Sequence, residues 1–412
     1  MWIRSVLLIA AVFLATGAMA QDAQDEGREF KKELTFAKRY SFHSALLDED
    51  IEYNVALPDG VFDGNKSRRY PVIYVLDGGY HQTLAAYNIA VTYNGLGLQM
   101  PQVLVVGIRS NNRRRDYTPS HVDKYTWETG GAKAYRTFLR DEFFPHIEDN
   151  YATNGHRVLI GHSHGGLFAL TDLVSDAPLF QSYISIDPSL DYDDQLLARH
   201  LEARGKLDLT AQVYINQATR AMAPDNDTTR EEFRAMIPTF DRFIAALEAK
   251  KTDRLLVRFD RRPLDDHLSA FIPGLYEGLA HVFKGYLPGQ KEQPGYAMTV
   301  FDVYSAVAEN PALLSRHYEA FSGRMGVTYP PEERLIQIGG TIAMNKGLME
   351  NARRLYQMGV ELYPDYSYSW SRLGNYFEKA GDNVRAFEAY EHAVKLASEN
   401  AFALDRLKAL KE

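Results

Sequence analysis

Five residues, Gly161-His162-Ser163-His164-Gly165, constrain this chain more than any others. They space a serine between two glycines as G-x-S-x-G, and a further glycine, Gly166, comes next. A short apolar run of strand type, Arg157-Val158-Leu159-Ile160, leads in. A run of helical type, Leu167-Phe168-Ala169-Leu170-Thr171-Asp172-Leu173-Val174, leads out. A chain that passes from strand to helix in so few residues needs glycine where backbone segments approach closely. The turn lifts the Ser163 hydroxyl to its tip, which is the setting of a nucleophile elbow.

The rest of the chain supplies the sheet that such an elbow needs. Tyr40-Ser41-Phe42-His43-Ser44 and Ile51-Glu52-Tyr53-Asn54-Val55-Ala56-Leu57 alternate as half-buried antiparallel strands do. Pro71-Val72-Ile73-Tyr74-Val75-Leu76 and Val103-Leu104-Val105-Val106-Gly107-Ile108 are fuller apolar runs, suited to strands buried on both faces. Tyr183-Ile184-Ser185-Ile186, Val213-Tyr214-Ile215 and Leu255-Leu256-Val257-Arg258-Phe259 continue the series. Helical patterns lie between them at 81–95, 131–150, 165–175 and 228–250. This alternation predicts an α/β fold with a mostly parallel sheet covered by helices on both faces.

A Pro/Gly/polar stretch, Leu287-Pro288-Gly289-Gln290-Lys291-Glu292-Gln293-Pro294-Gly295, closes that part, and the chain beyond it reads as helical throughout. Residues 333–366 and 367–400 form two frames of 34 residues. Ile336, Gly340, Ala343, Ala352, Tyr356 and Pro364 mark the first frame; Trp370, Leu373, Gly374, Phe377, Ala386, Tyr390 and Ala393 mark the second. Small residues that let two helices approach, with aromatics filling the gap, match a tetratricopeptide unit. The expected layout is a signal peptide over 1–20, a leader over 21–34 and a hydrolase domain over 35–286. Connecting helices over 287–332 and helical repeats over 333–412 complete it.

The first twenty residues carry Arg4, an apolar run over 6–14, and Gly17-Ala18-Met19-Ala20 before Gln21, the pattern of a secretory signal peptide. The expectation is export to a bacterial periplasm or medium, with no stable membrane insertion after cleavage. With 45% hydrophobic residues among 412, the chain is long enough for one large domain and a smaller one. A net charge of −8 argues against a nucleic-acid binder, and the one dense basic run is Arg113-Arg114-Arg115. The absence of cysteine excludes disulfides, a thiol nucleophile and thiolate metal sites. His162 and His164 make an H-x-H pair without a third ligand at useful spacing, so neither a metal nor another cofactor is expected.

A serine hydroxyl is a poor nucleophile until a base takes its proton. In chains of this type the histidine comes last, after the final strand. His267 occupies that place, in Arg261-Arg262-Pro263-Leu264-Asp265-Asp266-His267-Leu268-Ser269. The acid partner is expected after the penultimate strand, yet Asn216-Gln217-Ala218-Thr219 contains no carboxylate. The first candidate there is Asp225, with Asp227 as the alternative; a Ser-His dyad is the other possibility. Backbone N–H donors for an oxyanion fall to His164, directly after the serine, and to Gly79 in Asp77-Gly78-Gly79-Tyr80.

Several stretches resemble the putative esterase family of α/β-hydrolases, which includes enterochelin-esterase-like and S-formylglutathione-hydrolase-like enzymes. They are Tyr74-Val75-Leu76-Asp77-Gly78, Val106-Gly107-Ile108, Arg115-Asp116-Tyr117-Thr118-Pro119 and Phe138-Leu139-Arg140-Asp141-Glu142, and then the elbow itself. Asp187-Pro188-Ser189-Leu190, Asp266-His267-Leu268-Ser269 and Gly274-Leu275-Tyr276-Glu277-Gly278-Leu279 complete the set, in order, across 35–286. The resemblance implies hydrolysis of a small-molecule carboxylic ester through an acyl-enzyme, with siderophore-like esters among the substrates. It carries over Ser163 as nucleophile, His267 as base, and Gly79 and His164 as oxyanion donors. The helical extension resembles that of a bacterial subset of these esterases and implies a surface for a protein partner. Two further readings start from the same residues. One is a scaffold protein that binds through its helical tail, suggested by the missing acid. The other is acyl transfer to a sugar or lipid acceptor.

Overall fold

The computed structural model describes residues 35–58, 65–220, 227–289 and 299–412. The signal-peptide and leader expectations, Asp225, and most of the Pro/Gly linker therefore lie outside the described residues. Eight strands form one sheet: β1 Lys38–Ser44, β2 Glu49–Ala56, β3 Tyr70–Leu76, β4 Leu104–Ile108, β5 Thr153–His162, β6 Ser182–Ile186, β7 Ala211–Ala218 and β8 Leu255–Arg262. Their order is β1-β2-β4-β3-β5-β6-β7-β8. The first two strands pair antiparallel, β2 meets β4 antiparallel, and every later pairing is parallel.

The helices of this part are α1 Tyr80–Gly97, α2 Arg113–Asp116, α3 Ala132–Phe138, α4 Phe144–Asn150, α5 His164–Leu173, α6 Tyr192–Ala203, α7 Asp227–Lys250 and α8 Phe271–Val282. The helical pattern over 131–150 is not one uniform helix. A π-helical turn, Leu139–Phe143, separates α3 from α4, and Pro145 stands in the first turn of α4. Proline has no N–H to give to an i−4 carbonyl, and the turn just before it is wide, with Phe144 N–H bonding Leu139 O five residues back. That turn also presents Glu142, whose carboxylate accepts from Ser44 Oγ at 2.5 Å and from the Ala45 and Leu46 N–H groups, fixing the β1–β2 turn.

Strand periodicity sorts the core into two layers. Val72, Tyr74 and Leu76 of β3 face one apolar layer with Phe138, Phe143, Phe144, Phe168 and Tyr183. Ile73 and Val75 face the other, with Val158, Ile160, Ile184, Ile186 and the α8 residues Leu275 and Leu279. The second layer does not end with the sheet. It continues into Val303, Val307, Leu335 and Leu355 of the C-terminal helices.

Those helices are α9 Val300–Glu309, α10 Ala312–Met325, α11 Glu333–Asn345, α12 Met349–Leu362, α13 Ser367–Lys379, α14 Asn383–Leu396 and α15 Ala401–Lys411. The 34-residue frame is visible in their packing. A Cβ on Gly340 of α11 would stand 2.6 Å from the Tyr356 ring of α12, and one on Gly374 of α13 would stand 2.8 Å from the Tyr390 ring of α14. Each glycine lets an aromatic side chain seat directly on the facing backbone. Phe36–Glu412 make one compact unit. Polar contacts tie its parts, among them Arg68 with buried Glu333 at 2.5 Å, and the buried His156 ring with Ser182 Oγ at 2.9 Å and the Tyr329 hydroxyl. No helix of the described residues is long and apolar enough to cross a membrane.

Candidate active site

Three non-glycine residues with positive φ stand at the carboxyl ends of three neighbouring parallel strands: Asp77 (53°) after β3, Ser163 (59°) after β5 and Asp187 (40°) after β6. Such conformations are costly for residues with a Cβ and persist only where the surroundings impose them. At the elbow the imposing contacts are plain. The Ser163 N–H donates to Ile186 O at 3.0 Å, and Ser163 O accepts from Leu167 N at 2.9 Å as α5 begins. A Cβ on Gly161 would lie 2.1 Å from Gly165 O, so strand and helix can meet there only through glycine.

His267 lies between β8 and α8, on the loop where chain order places a base. Its Nδ1 is 2.7 Å from Asp187 Oδ2. The other carboxylate oxygen of Asp187 accepts from Ala218 N at 2.9 Å, and the side chain is 3% exposed. The carboxylate that meets the ring thus comes from the loop after β6, one strand earlier than expected. Asp225 lies outside the described residues, and of Asp227 only the backbone, opening α7, is described. Asn216, near the end of β7, serves Asp187: its Oδ1 accepts from the Asp187 N–H at 2.9 Å, while its Nδ2 reaches Ala270 O at 3.5 Å. The same β6 loop holds the nucleophile, since Ser189 N donates to Ser163 O at 3.3 Å. The Ser163 hydroxyl lies 3.5 Å from Ser189 Oγ, and among the described residues it makes no hydrogen bond to the His267 ring. Bonds of that kind commonly tighten only around substrate.

His164 is the first residue of α5, where a backbone N–H has no acceptor within the helix. The second expected donor, Gly79 N–H, is turned toward Asp77 O at 2.6 Å inside its own loop. That loop is pressed against β4, because a Cβ on Gly78 would fall 2.2 Å from Gly107 C. Arg113 grips Asp77 with two bonds, of 2.8 and 2.9 Å, and reaches His162 O at 3.4 Å. The three arginines of the basic run diverge. Arg114 lies over the Trp127 ring at 4.4 Å, and Arg115 pairs with Asp116 at 2.7 Å and with Glu49 at 2.8 Å.

The two histidines beside Ser163 do not converge on one point. His162 Nε2 is 2.7 Å from the main-chain oxygen of His267, and the two imidazoles lie 4.5 Å apart. His164 stands edge-on to Tyr192 at 6.3 Å. Burial lowers both to about 4, so both rings are neutral near pH 7. For His164 the nearby Arg113 and Arg114 add to that effect.

Residues 44–232 match the model of the putative esterase family. That segment, a little under half of the chain, is similar to members of this family. A ferri-bacillibactin esterase of Bacillus subtilis is 31% identical over 150 residues, 32% of this chain and 51% of the relative. An apo-salmochelin esterase of Escherichia coli is 32% identical over 147 residues, 32% of this chain and 45% of the relative. The chain therefore matches only about half the length of these curated relatives. Among solved structures, an IroE-like serine hydrolase of Shewanella oneidensis aligns with a TM-score of 0.61 at 26% identity, over 79% of this chain and 99% of its own. The family segment takes in Asp77, Ser163 and Asp187 but ends before His267.

Proposed function

We propose that the protein is an exported serine hydrolase of small carboxylic esters, siderophore-like esters among them, acting through an acyl-enzyme. The observation that carries this reading is the Asp187–His267 pair at 2.7 Å, on a loop that also bonds the backbone of Ser163. Ser163 Oγ attacks the ester carbonyl and passes its proton to His267 Nε2. Asp187 holds Nδ1–H, fixes the tautomer and favours the imidazolium as it forms. The developing oxyanion is taken by His164 N–H, with Gly79 N–H as a second donor shared with Asp77 O. His267 then protonates the leaving alcohol, and a water activated by the same ring releases the acid.

The substrate class rests on the siderophore esterases among the relatives. It is also supported by Arg114, which has no carboxylate partner among the described residues and suits an anionic ester. Export rests on the composition of residues 1–20. The repeated Gly–Tyr packing supports reading 333–412 as a pair of tetratricopeptide-like units. Ser163→Ala is expected to abolish p-nitrophenyl acetate turnover and labelling by a fluorophosphonate. Turnover retained at the wild-type rate would sink the assignment.

A further inference from the structure

His267 sits on a connection between β8 and α8, and the Asp187 carboxylate reaches only its ring. A ring held at Nδ1 can still drift if the main chain beneath it moves. The loop's own bonds, from Ala270 N to Asp266 O at 3.0 Å and from Leu268 and Ser269 N–H to Asp266 Oδ1, shape the turn without anchoring it to the elbow. Asn216 Nδ2 reaches Ala270 O and Arg220 N bonds Asp265 O, at the β7 end; among the described residues, the hydrogen bond that joins this main chain to the elbow is the one from His162. We propose that His162 is a positioning residue: its Nε2–H, donated to the backbone oxygen of His267, clamps the base's main chain to the residue before the nucleophile. The inference rests on Ser163 and His267 being nucleophile and base.

A carbonyl oxygen can only accept, so His162 Nε2 must carry the proton. Burial, chiefly, and the charge of the neighbouring His267 keep the ring neutral to about pH 4, while the bond to the His267 backbone, and then Asp187 and Asp77, pull the other way. The ring is packed between His267 at 4.5 Å and Phe271, the first residue of α8, at 5.8 Å. Its own carbonyl is held by Arg113, which Asp77 fixes. One residue thus gathers the ends of β3 and β5, the base's loop and the start of α8. His267 is then held twice, at its ring by Asp187 and at its backbone by His162.

The test separates the donor from the packing. His162→Gln keeps an N–H near the position of Nε2, and His162→Phe keeps the ring without the donor. With p-nitrophenyl acetate, His162→Phe is expected to lose about 10- to 100-fold in kcat with KM within about twofold, the cost of a small displacement of a catalytic group. His162→Gln should recover most of that loss. Wild-type kcat in His162→Phe, or equal losses in both variants, would overturn the proposal. Nitrogen-15 spectra of histidine-labelled wild-type protein give a reading that no folding defect can blur. His162 is expected as the neutral Nε2–H form at pH 7, and an Nδ1–H form would refute the clamp. Turnover surviving Ser163→Ala would instead remove the proposed function and leave the tautomer result standing.

Discussion

The loop after β6 and the last residues of β7 lie side by side and carry different chemistry. The first offers a carboxylate, Asp187, to the His267 ring. The second offers an amide, Asn216, to the backbone of Asp187. Chain order alone favours the β7 side for the acid. The arrangement instead depends on which side chain can reach Nδ1 while its free oxygen and its backbone are satisfied. Asp187 meets that condition because its positive φ turns the carboxylate across the end of the sheet, where Ala218 N–H takes the second oxygen. Asn216 is suited to supporting it, because an amide both accepts from Asp187 N–H and donates toward Ala270 O. A carboxylate there could not donate, and it would place a second negative charge beside the first.

The sharpest way to break this comparison is to remove the charge from one loop only. Asp187→Asn keeps the shape but lets the His267 ring settle in the wrong tautomer, and kcat is expected to fall by about 10³- to 10⁴-fold. Asp225→Ala and Asp227→Ala, the carboxylates that chain order points to, are expected to stay within about twofold. A large loss in either of those variants, with Asp187→Asn near wild type, would return the acid to the β7 side. Burst kinetics of acyl-enzyme formation would read the difference directly.

A smaller effect is expected on the supporting side. Asn216→Ala leaves the buried Asp187 N–H with one acceptor fewer, a loss of about 1–3 kcal/mol in unfolding free energy. Turnover should fall by about tenfold, because the carboxylate remains but is less firmly aimed. Denaturant midpoints together with kcat check both parts. A variant as inactive as Asp187→Asn would mean that Asn216 contacts the reacting groups itself and does more than support.

Much of the layout is legible in the sequence because it is local. The elbow, the strand periodicity and the place of His267 after the last strand are set by neighbours along the chain. The 34-residue frame is equally plain, since Gly340 with Tyr356 and Gly374 with Tyr390 repeat a single packing rule. The acid is illegible for the opposite reason. Asp187 and His267 are 80 residues apart, and what selects Asp187 is a three-dimensional reach across the end of β7. A signal was present in Asp187-Pro188-Ser189-Leu190, one of the stretches that carry the family resemblance. His162 is hidden in a similar way: within an H-x-H pair it invites a metal reading, while its bond is to a backbone oxygen 105 residues away. The π turn before α4 is signalled only by Pro145, and its use as a platform for Glu142 depends on the distant β1–β2 turn.

The contrast between a ring with a carboxylate and one without extends to stability, and there the smallest effect is expected. His267 has Asp187 to offset a positive charge. His156, in the core, has among the described residues only the hydroxyls of Ser182 and Tyr329 as hydrogen-bond partners, and burial lowers it to about 3. In the unfolded chain the same imidazole titrates near 6.5. As pH falls from about 6.5 toward 3, the unfolded state therefore binds a proton that the folded state refuses. More protons on the unfolded side means that stability rises with pH across this window and is lost on acidification. The slope from this one ring is at most about 1.4 kcal/mol per pH unit. Urea midpoints between pH 7 and 4.5 should fall, and His156→Gln, which keeps polar atoms but cannot titrate, should fall less steeply. Equal slopes for the two proteins would show that the unpaired ring accepts its proton in the folded state, and the distinction between paired and unpaired histidines would then fail.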